Sequence, residues 1–262
     1  MSSPTIELLT AATPNGQKIS IFLEELGLPY TTTSIDLGAD EQKAASFLAT
    51  NPNGRIPAII DHSRNSFPVF ESGAIFLYLL SHYDQDLKFG FENGSDEWSE
   101  MVMWLFFQVS NFHSLKFGYI LFMVLTHLTN AGLGPMQGQA NHFFRYAPDK
   151  IDYGIKRYQN ETKRLYSVLE SRLQNRKYLV GEKYSVADMS SFTWVRWAPW
   201  AGIELDEFPK LKEWADRIES RDAVKRGLRV PGDKEDQIER LRKDPNVGDP
   251  FQEWVMSKLC MD

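Results

Sequence analysis

Three short stretches hold residues that could bind and activate a charged small molecule. Thr13-Pro14-Asn15-Gly16 offers a hydroxyl and a carboxamide at what reads as a helix start. Neither group is a strong acid or base, so the chemistry they suit is stabilisation of an anion, with a thiolate brought in by a ligand the natural candidate. Phe70-Glu71-Ser72-Gly73-Ala74 places a carboxylate and a hydroxyl where a strand passes into a helix. There Ser72 and nearby N–H groups would take a carboxylate and Glu71 an ammonium, as an α-amino acid head group requires. Asn51-Pro52-Asn53-Gly54-Arg55-Ile56-Pro57 opens a strand on an Ile-Pro bond. A cis bond there would turn the Ile56 backbone towards an extended peptide, although trans is the commoner X–Pro form. Simple helix capping is the competing reading for Thr13, Asn15, Glu71 and Ser72, and the residues alone leave both open.

The elements that would position these groups are legible from periodicity. Ile6 to Ala12 reads as a short strand, and Ile19, Phe22, Leu23 and Leu26 then recur at helical spacing. Thr13 suits the N-cap, Pro14 the first helical position and Gly27 the left-handed terminator, giving a helix over Pro14 to Leu26. Tyr30 to Ile35 is β-branched and strand-like, Glu41 to Thr50 helical, Ile56 to Ile60 and Phe67 to Phe70 further strands, and Glu71 to Tyr83 a helix with Ile75, Leu79 and Leu80 inward. The order is β-α-β-α-β-β-α. A Gly-, Asp- and Asn-rich stretch then reads as a linker, and beyond Asp96 only helical stripes recur: Trp98, Met101, Val102, Leu105 and Val109; Ile151 to Leu169; Leu211, Trp214 and Ile218. Ser185-Val186-Ala187-Asp188 has the form of a capping box, with Tyr184 as its staple, and predicts a buried helix with a folding role.

Composition narrows the function. With 262 residues and 42% apolar content the chain can bury a sizeable core and fits two domains. A net charge of −6, with no basic run, argues against nucleic acid or an anionic membrane as a partner. MSSPTIELLT lacks the basic and apolar regions of a secretory signal, so the expected location is the cytoplasm. The single cysteine, Cys260, excludes an internal disulfide and Cys-rich metal sites, and the five histidines are scattered without metal-binding spacing, so no metal is expected. Nucleotide-binding glycine motifs and the GxSxG elbow are absent. With Cys260 read as a bystander near the chain end, any thiol chemistry must draw its thiol mainly from a cofactor.

TPNG at 13–16, EQK at 41–43, NPNGRIPAI at 51–59, FESGAI at 70–75, GPMQGQANHF at 134–143, RYQNETKRLYSVL at 157–169 and SVAD at 185–188 occur in order, and with them residues 5–231 resemble a glutathione transferase. The resemblance is strongest to the nu-class bacterial enzymes and the fungal nitrogen-regulator-like branch. It implies an α+β two-domain fold: a thioredoxin-like domain over 1–84, a linker over 85–95, an all-helical domain over 96–231 and a peripheral tail over 232–262. It also implies a cis Pro57, a homodimer and glutathione as co-substrate. By matching motif, Thr13 and Asn15 would contact the glutathione sulfur. Gln42 and Arg55 would take the glycine end, and the backbone at Ile56 and Pro57 would pair with the cysteinyl unit. Glu71 with Ser72 would hold the γ-glutamyl head, and Arg157 would reach the ligand from a partner subunit.

The implied branch favours reduction of small disulfides over conjugation of electrophiles, a role in redox homeostasis and detoxification. Donors at Asn15 would stabilise glutathione thiolate without deprotonating it. A non-catalytic glutathione-binding or regulatory module of the same fold is the alternative. The transferase-like pattern begins by Thr5 without an Asn/Gln-rich extension of the regulator kind, which favours the enzyme. One departure stands out: residues 111–133 interrupt the family pattern like an insertion, read either as an extension of the first helix of the second domain or as a retained intron. Its longest apolar run, Tyr119 to Leu125, is too short to cross a membrane. In the tail, Lys234 to Lys243 reads as a solvated helix and Phe251 to Leu259 as a second one.

Overall fold

The computed structural model describes residues 5–109, 132–232 and 237–244. The 111–133 segment, apart from its last two residues, and the expected helix at 251–259 lie outside them, as does Cys260.

The first half has the expected order. Strand β1 (Ile6–Thr10) leads into α1 (Pro14–Leu26), β2 (Tyr30–Ser34), a 3-10 turn (Glu41–Lys43), α2 (Ala45–Thr50), β3 (Ala58–Asp61), β4 (Phe67–Phe70) and α3 (Ser72–Tyr83). The sheet runs β2-β1-β3-β4, with β2 parallel to β1 and the other neighbours antiparallel. Helix α1 begins and ends where its signals place it. Gly16 N–H donates to Thr13 Oγ1 at 3.2 Å, and Gly27 closes the helix at φ 64°, a conformation that costs glycine little. Three limits differ from the reading of the sequence. β1 stops at Thr10 because Thr13 N–H folds back onto Ala11 C=O at 2.7 Å. The helix read over 41–50 is broken at Ala44, which adopts extended backbone (φ −63°, ψ 147°). β3 starts two residues late, after Ile56 and Pro57, where proline has no N–H to give a ladder.

Side chains alternate across the sheet as a pleat requires. Leu8 and Ile59 join Ile19, Phe22, Leu23, Ile75, Phe76 and Leu79 in a core shared with the second half, whereas Leu9 and Ala58 pack with Ile35 and Phe47 of α2 on the opposite face.

The second half is helical: α4 (Asp96–Val109), α5 (Leu133–Asn141) running into a π-helical turn (His142–Tyr146), α6 (Asp152–Leu173), α7 (Val186–Arg196), α8 (Pro209–Glu219), α9 (Asp222–Gly227) and α10 (Gln237–Lys243). The stretch at 84–95 is a folded connection, since the buried Asp84 carboxylate accepts N–H bonds from Lys88, Phe89 and Gly90 at 2.8–2.9 Å. The capping box forms as expected and reaches further. Asp188 Oδ2 accepts from Ser185 N–H at 3.0 Å, while Oδ1 accepts from Leu179 N–H and the Trp214 indole, both at 2.9 Å. It thereby pins the start of α7 to α8. The helix read as solvated at 234–243 is found as α10 with Ile238 and Leu241 buried against Trp197 and Trp200.

Helix α1 is the seam between the halves. Its Ile21 backbone lies so near α9 that a Cβ on Gly227 would come within 2.5 Å of Ile21 Cα, and Ser20 Oγ donates to Gly227 C=O at 2.7 Å. Arg221 clamps Glu25 with two bonds of 2.6 and 2.8 Å.

Candidate functional site

Sheet register brings the candidate segments to one end of the sheet. Leu9 pairs with Ala58, Ala58 with Phe70 and Thr10 with Ser34. The end of β1, the start of β3, the end of β4 and the end of β2 therefore share one edge of the layer. From it emerge Thr13 to Asn15, Ile56-Pro57, Glu71-Ser72 and the loop that carries Gln42.

At the start of α1 the capping and functional readings coexist. Thr13 Oγ1 accepts the Gly16 N–H as a cap, and its own O–H stays available to donate. Asn15 is oriented from the second domain: the Trp194 indole Nε1–H, on α7, donates to Asn15 Oδ1 at 3.0 Å. An indole N–H can only donate, so the carbonyl side of the carboxamide must face it. The Asn15 NH2 is thereby turned away from Trp194, at a helix N-terminus whose free N–H groups also favour negative charge. Trp194 is itself held. Its carbonyl accepts from Gln137 Nε2 at 2.6 Å, Gln137 Oε1 accepts from the Tyr166 hydroxyl at 2.9 Å, and the ring lies against α5 where Gly134 and Gly138 leave room for it. A Cβ on Gly134 would stand 3.2 Å from the indole.

At the start of α3 capping does not account for the residues, because Glu71 makes no side-chain cap bond. Its backbone is held at φ 67°, ψ 117°, a left-handed region costly to a residue with a Cβ and often found at functional positions. Its exposed carboxylate accepts from Asn53 Nδ2 at 3.4 Å. Ser72 is buried, and its Oγ accepts from Lys18 Nζ at 3.2 Å. Lys18, on α1, also donates to Gln108 Oε1 on α4. Burial pushes its ammonium pKa down to about 7 against the upward pull of the Glu71 carboxylate.

The remaining segments frame the edge. The Ile56-Pro57 bond is cis, as the family resemblance implies. Asn51 Nδ2 donates to Arg55 C=O at 2.6 Å and Asn51 Oδ1 accepts from Asn53 N–H at 3.0 Å, so the 51–57 loop is preformed. Gln42 is buried; its Nε2 donates to Asp40 at 3.2 Å while its Oε1 has no protein partner. That free acceptor suits a ligand N–H better than a carboxylate. Arg55 is exposed and follows Gly54, where an added Cβ would stand 2.9 Å from Gln42 C=O. Arg157 is exposed on α6, whose main packing partners are α5, the π-helical turn and α8.

Reading the sequence missed Trp194, Gln17, Lys18 and Ser20. Gln17, Lys18 and Ser20 are polar residues fully or almost fully buried in α1, and Gln17 Oε1 accepts from the Trp197 indole at 3.2 Å. One local signal existed: a lysine one turn after Asn15, on a flank of α1 next to its apolar stripe.

Comparison with known proteins agrees with the architecture. Residues 4–81 match the glutathione S-transferase N-terminal domain and residues 135–222 the glutathione S-transferase C-terminal domain. The chain is 41% identical over 227 residues to the disulfide-bond oxidoreductase YfcG of Escherichia coli, spanning 85% of this chain and 94% of that protein. Among solved structures it resembles a glutathione transferase homolog from Lodderomyces elongisporus with two GSH per subunit, at 38% identity and TM-score 0.77, covering 88% of this chain and 100% of the other. It also resembles the glutathione transferase URE2P6 from Phanerochaete chrysosporium in complex with oxidized glutathione, at 37% identity and TM-score 0.74, covering 86% and 94%.

Proposed function

This chain belongs to the glutathione transferase family, and from that premise we propose that it is a glutathione-dependent enzyme that reduces small disulfides in preference to conjugating electrophiles. The observation that carries the thiolate chemistry is Asn15, whose carboxamide is oriented by Trp194 to present N–H donors and has no basic group to deprotonate a thiol. The preference for disulfides is supported by the similarity to the disulfide-bond oxidoreductase YfcG. A free thiol of the cysteine kind, pKa about 8.5, is only a few per cent ionised near neutrality. Asn15, the Thr13 hydroxyl and the α1 N-terminus favour the thiolate over the thiol, which raises the population of the attacking species.

The thiolate attacks one sulfur of the substrate disulfide. A glutathione–substrate mixed disulfide forms, and the other sulfur leaves as a thiolate that takes a proton from water. A second glutathione thiolate attacks the mixed disulfide, giving oxidised glutathione and the second substrate thiol. Two glutathiones are oxidised for each disulfide reduced.

Binding is assigned along the converging edge. Glu71 takes the ligand's ammonium and Ser72 its γ-glutamyl carboxylate, the Ile56 backbone before Pro57 pairs with the cysteinyl unit, and Gln42 with Arg55 holds the glycine end. The buried, unpartnered Oε1 of Gln42 supports a ligand at that place. Exposed Phe67 on the edge strand β4, and Met103 and Phe106 one turn apart on α4, support a homodimer, with Arg157 completing the partner's site. The proposed location is the cytoplasm; no helix among the described residues is long and apolar enough to cross a membrane.

The test compares glutathione-dependent reduction of a small disulfide with conjugation of a halonitroarene. Asn15→Ala with intact folding is expected to lose most disulfide reduction, and unchanged turnover refutes the assignment. Glutathione binding without either activity in the unaltered protein would favour a regulatory module.

A further inference from the structure

Lys18 is an unusual core residue. It sits in the middle of α1 with 1% of its surface exposed, and two neutral groups receive its Nζ: Ser72 Oγ at the start of α3 and Gln108 Oε1 on α4. A lysine in such a place is costly unless its charge is used, and methionine or leucine would fill the volume without that cost. The geometry of Ser72 suggests the use. An ammonium can only donate, so Ser72 Oγ acts as acceptor towards Lys18 and must point its own O–H elsewhere. The direction left to it is away from α1, towards the edge where Glu71 and the 51–57 loop meet through Asn53.

We propose that Lys18 is a positioning residue for the amino-acid carboxylate of the ligand, aiming the Ser72 hydroxyl at it from behind and supplying its counter-charge through that hydroxyl. This rests on the reading of the site as a glutathione site. The carboxylate accepts from Ser72 O–H, Ser72 Oγ accepts from Lys18 Nζ, and Gln108 fixes the lysine from the helical domain. Binding of the carboxylate favours the charged lysine, so ligand binding draws in a proton from solvent and that proton stays on Nζ.

The groups around Lys18 fit this role. From α3 it faces Ser72, with the Glu71 carboxylate acting on it through space; from α4 it faces the neutral Gln108. Charged groups on the other elements packed on α1 are engaged elsewhere: Asp188 with Leu179 and Trp214, Arg196 with Glu219, Arg221 with Glu25, Arg226 with Glu24, and Lys225 beside Asp222. On β1, Glu7 is paired with His62 and Thr33, and on β3, Asp61 accepts from Tyr78 and Tyr83. With burial holding the free lysine at about 7, a carboxylate one hydroxyl away changes its protonation within the neutral range.

The experiment is calorimetric titration of the full-length protein with S-methylglutathione, whose blocked thiol cannot release a proton. It is run at pH 7.5 in buffers of different ionisation enthalpy. It is repeated with the analogue in which γ-aminobutyrate replaces the γ-glutamyl unit, so that the carboxylate is missing and the amine retained. The wild type is expected to take up about half a proton or more with the first ligand and close to none with the second. Lys18→Met, checked for folding by circular dichroism, is expected to abolish the uptake. It should weaken S-methylglutathione binding about 10-fold or more while changing the analogue by less than about 3-fold. Binding by the wild type without proton uptake, or equal loss of both ligands in Lys18→Met, overturns the role of Lys18 alone. If the wild type binds neither ligand, the glutathione reading falls with it. Should Lys18→Met fail to fold, the contrast between the two ligands in the wild type decides the matter.

Discussion

Replacing Trp194 with phenylalanine isolates the contact that gives the thiolate site its polarity. Phenylalanine keeps most of the ring area between α5 and α1 but removes the Nε1–H that donates to Asn15 Oδ1 at 3.0 Å. A neutral bond of that length, part-buried as this one is, contributes about 1 kcal/mol net. The larger effect is orientational. The terminal torsion of asparagine is broad and roughly two-fold, so without the indole the carboxamide can present its oxygen to the sulfur in place of its NH2. Losing a preference of about 1–1.4 kcal/mol corresponds to roughly 5- to 10-fold in kcat/KM. Removing the donor altogether, in Asn15→Ala, should cost about 100-fold or more, the range seen for single oxyanion donors. Because the indole acts only through Asn15, Trp194→Phe on the Asn15→Ala background should add almost nothing. The assay is glutathione-dependent reduction of a small disulfide, coupled to NADPH consumption through glutathione reductase. It is paired with a pH titration of the bound thiolate by ultraviolet absorbance, in which Trp194→Phe should raise the apparent thiol pKa. A folded Trp194→Phe protein with wild-type turnover, or one whose loss adds fully to that of Asn15→Ala, refutes the reasoning.

Other outcomes follow from the same contacts. Gly134→Ala places a methyl 2.7 Å from Gln108 Nε2 and 3.2 Å from the Trp194 ring, so turnover should fall several-fold while the melting temperature moves only slightly, as measured by assay and thermal melt. Gly227→Ala brings a Cβ to 2.5 Å from the Ile21 backbone, which cannot yield as a side chain end would; urea unfolding should show a loss of about 2 kcal/mol or more. Asp188→Ala strands Leu179 N–H and the Trp214 indole in the core and removes the α7 capping box, and denaturant midpoints should report a loss of about 3 kcal/mol or more. For Lys18, whose pKa is about 7 when folded and about 10.4 when unfolded, the unfolded chain binds more protons between these values. Wild-type stability relative to Lys18→Met should therefore rise by about 2 kcal/mol between pH 7 and pH 9, measured by urea unfolding at both.

Much of the first domain was decided locally and could be read without coordinates. The limits of α1 follow from Thr13, Pro14 and Gly27, whose effects reach only three or four residues, and the α7 start follows from Ser185 and Asp188 in the same way. β-Branched and aromatic residues placed β2 and β4, and a 3.6-residue apolar repeat placed α3, each to within a residue. The cis Ile56-Pro57 bond was legible only through the family resemblance, since an X–Pro pair on its own favours trans. Local pattern also nominated Thr13, Asn15, Glu71 and Ser72, but it could not separate capping from ligand binding. That needed the backbone at Glu71 and the missing cap bond there.

What tertiary structure alone decided is the second wall of the site. Asn15, Gln17, Lys18 and Ser20 are polar positions of α1 that a one-domain reading leaves to water, and each instead meets a group from the helical half: Trp194, Trp197, Gln108 and Gly227. Trp194 sits in a run of residues apolar on nearly every face, where periodicity cannot say which side meets which neighbour. The partners of Asn15 and Lys18 are 179 and 90 residues away in the chain, and their meeting depends on how two cores pack. Sequence thus determined that a polar helix start could receive an anion. Packing of the second domain determined which way its carboxamide points, because orientation of an amide is set by what it touches and not by its place in a helix.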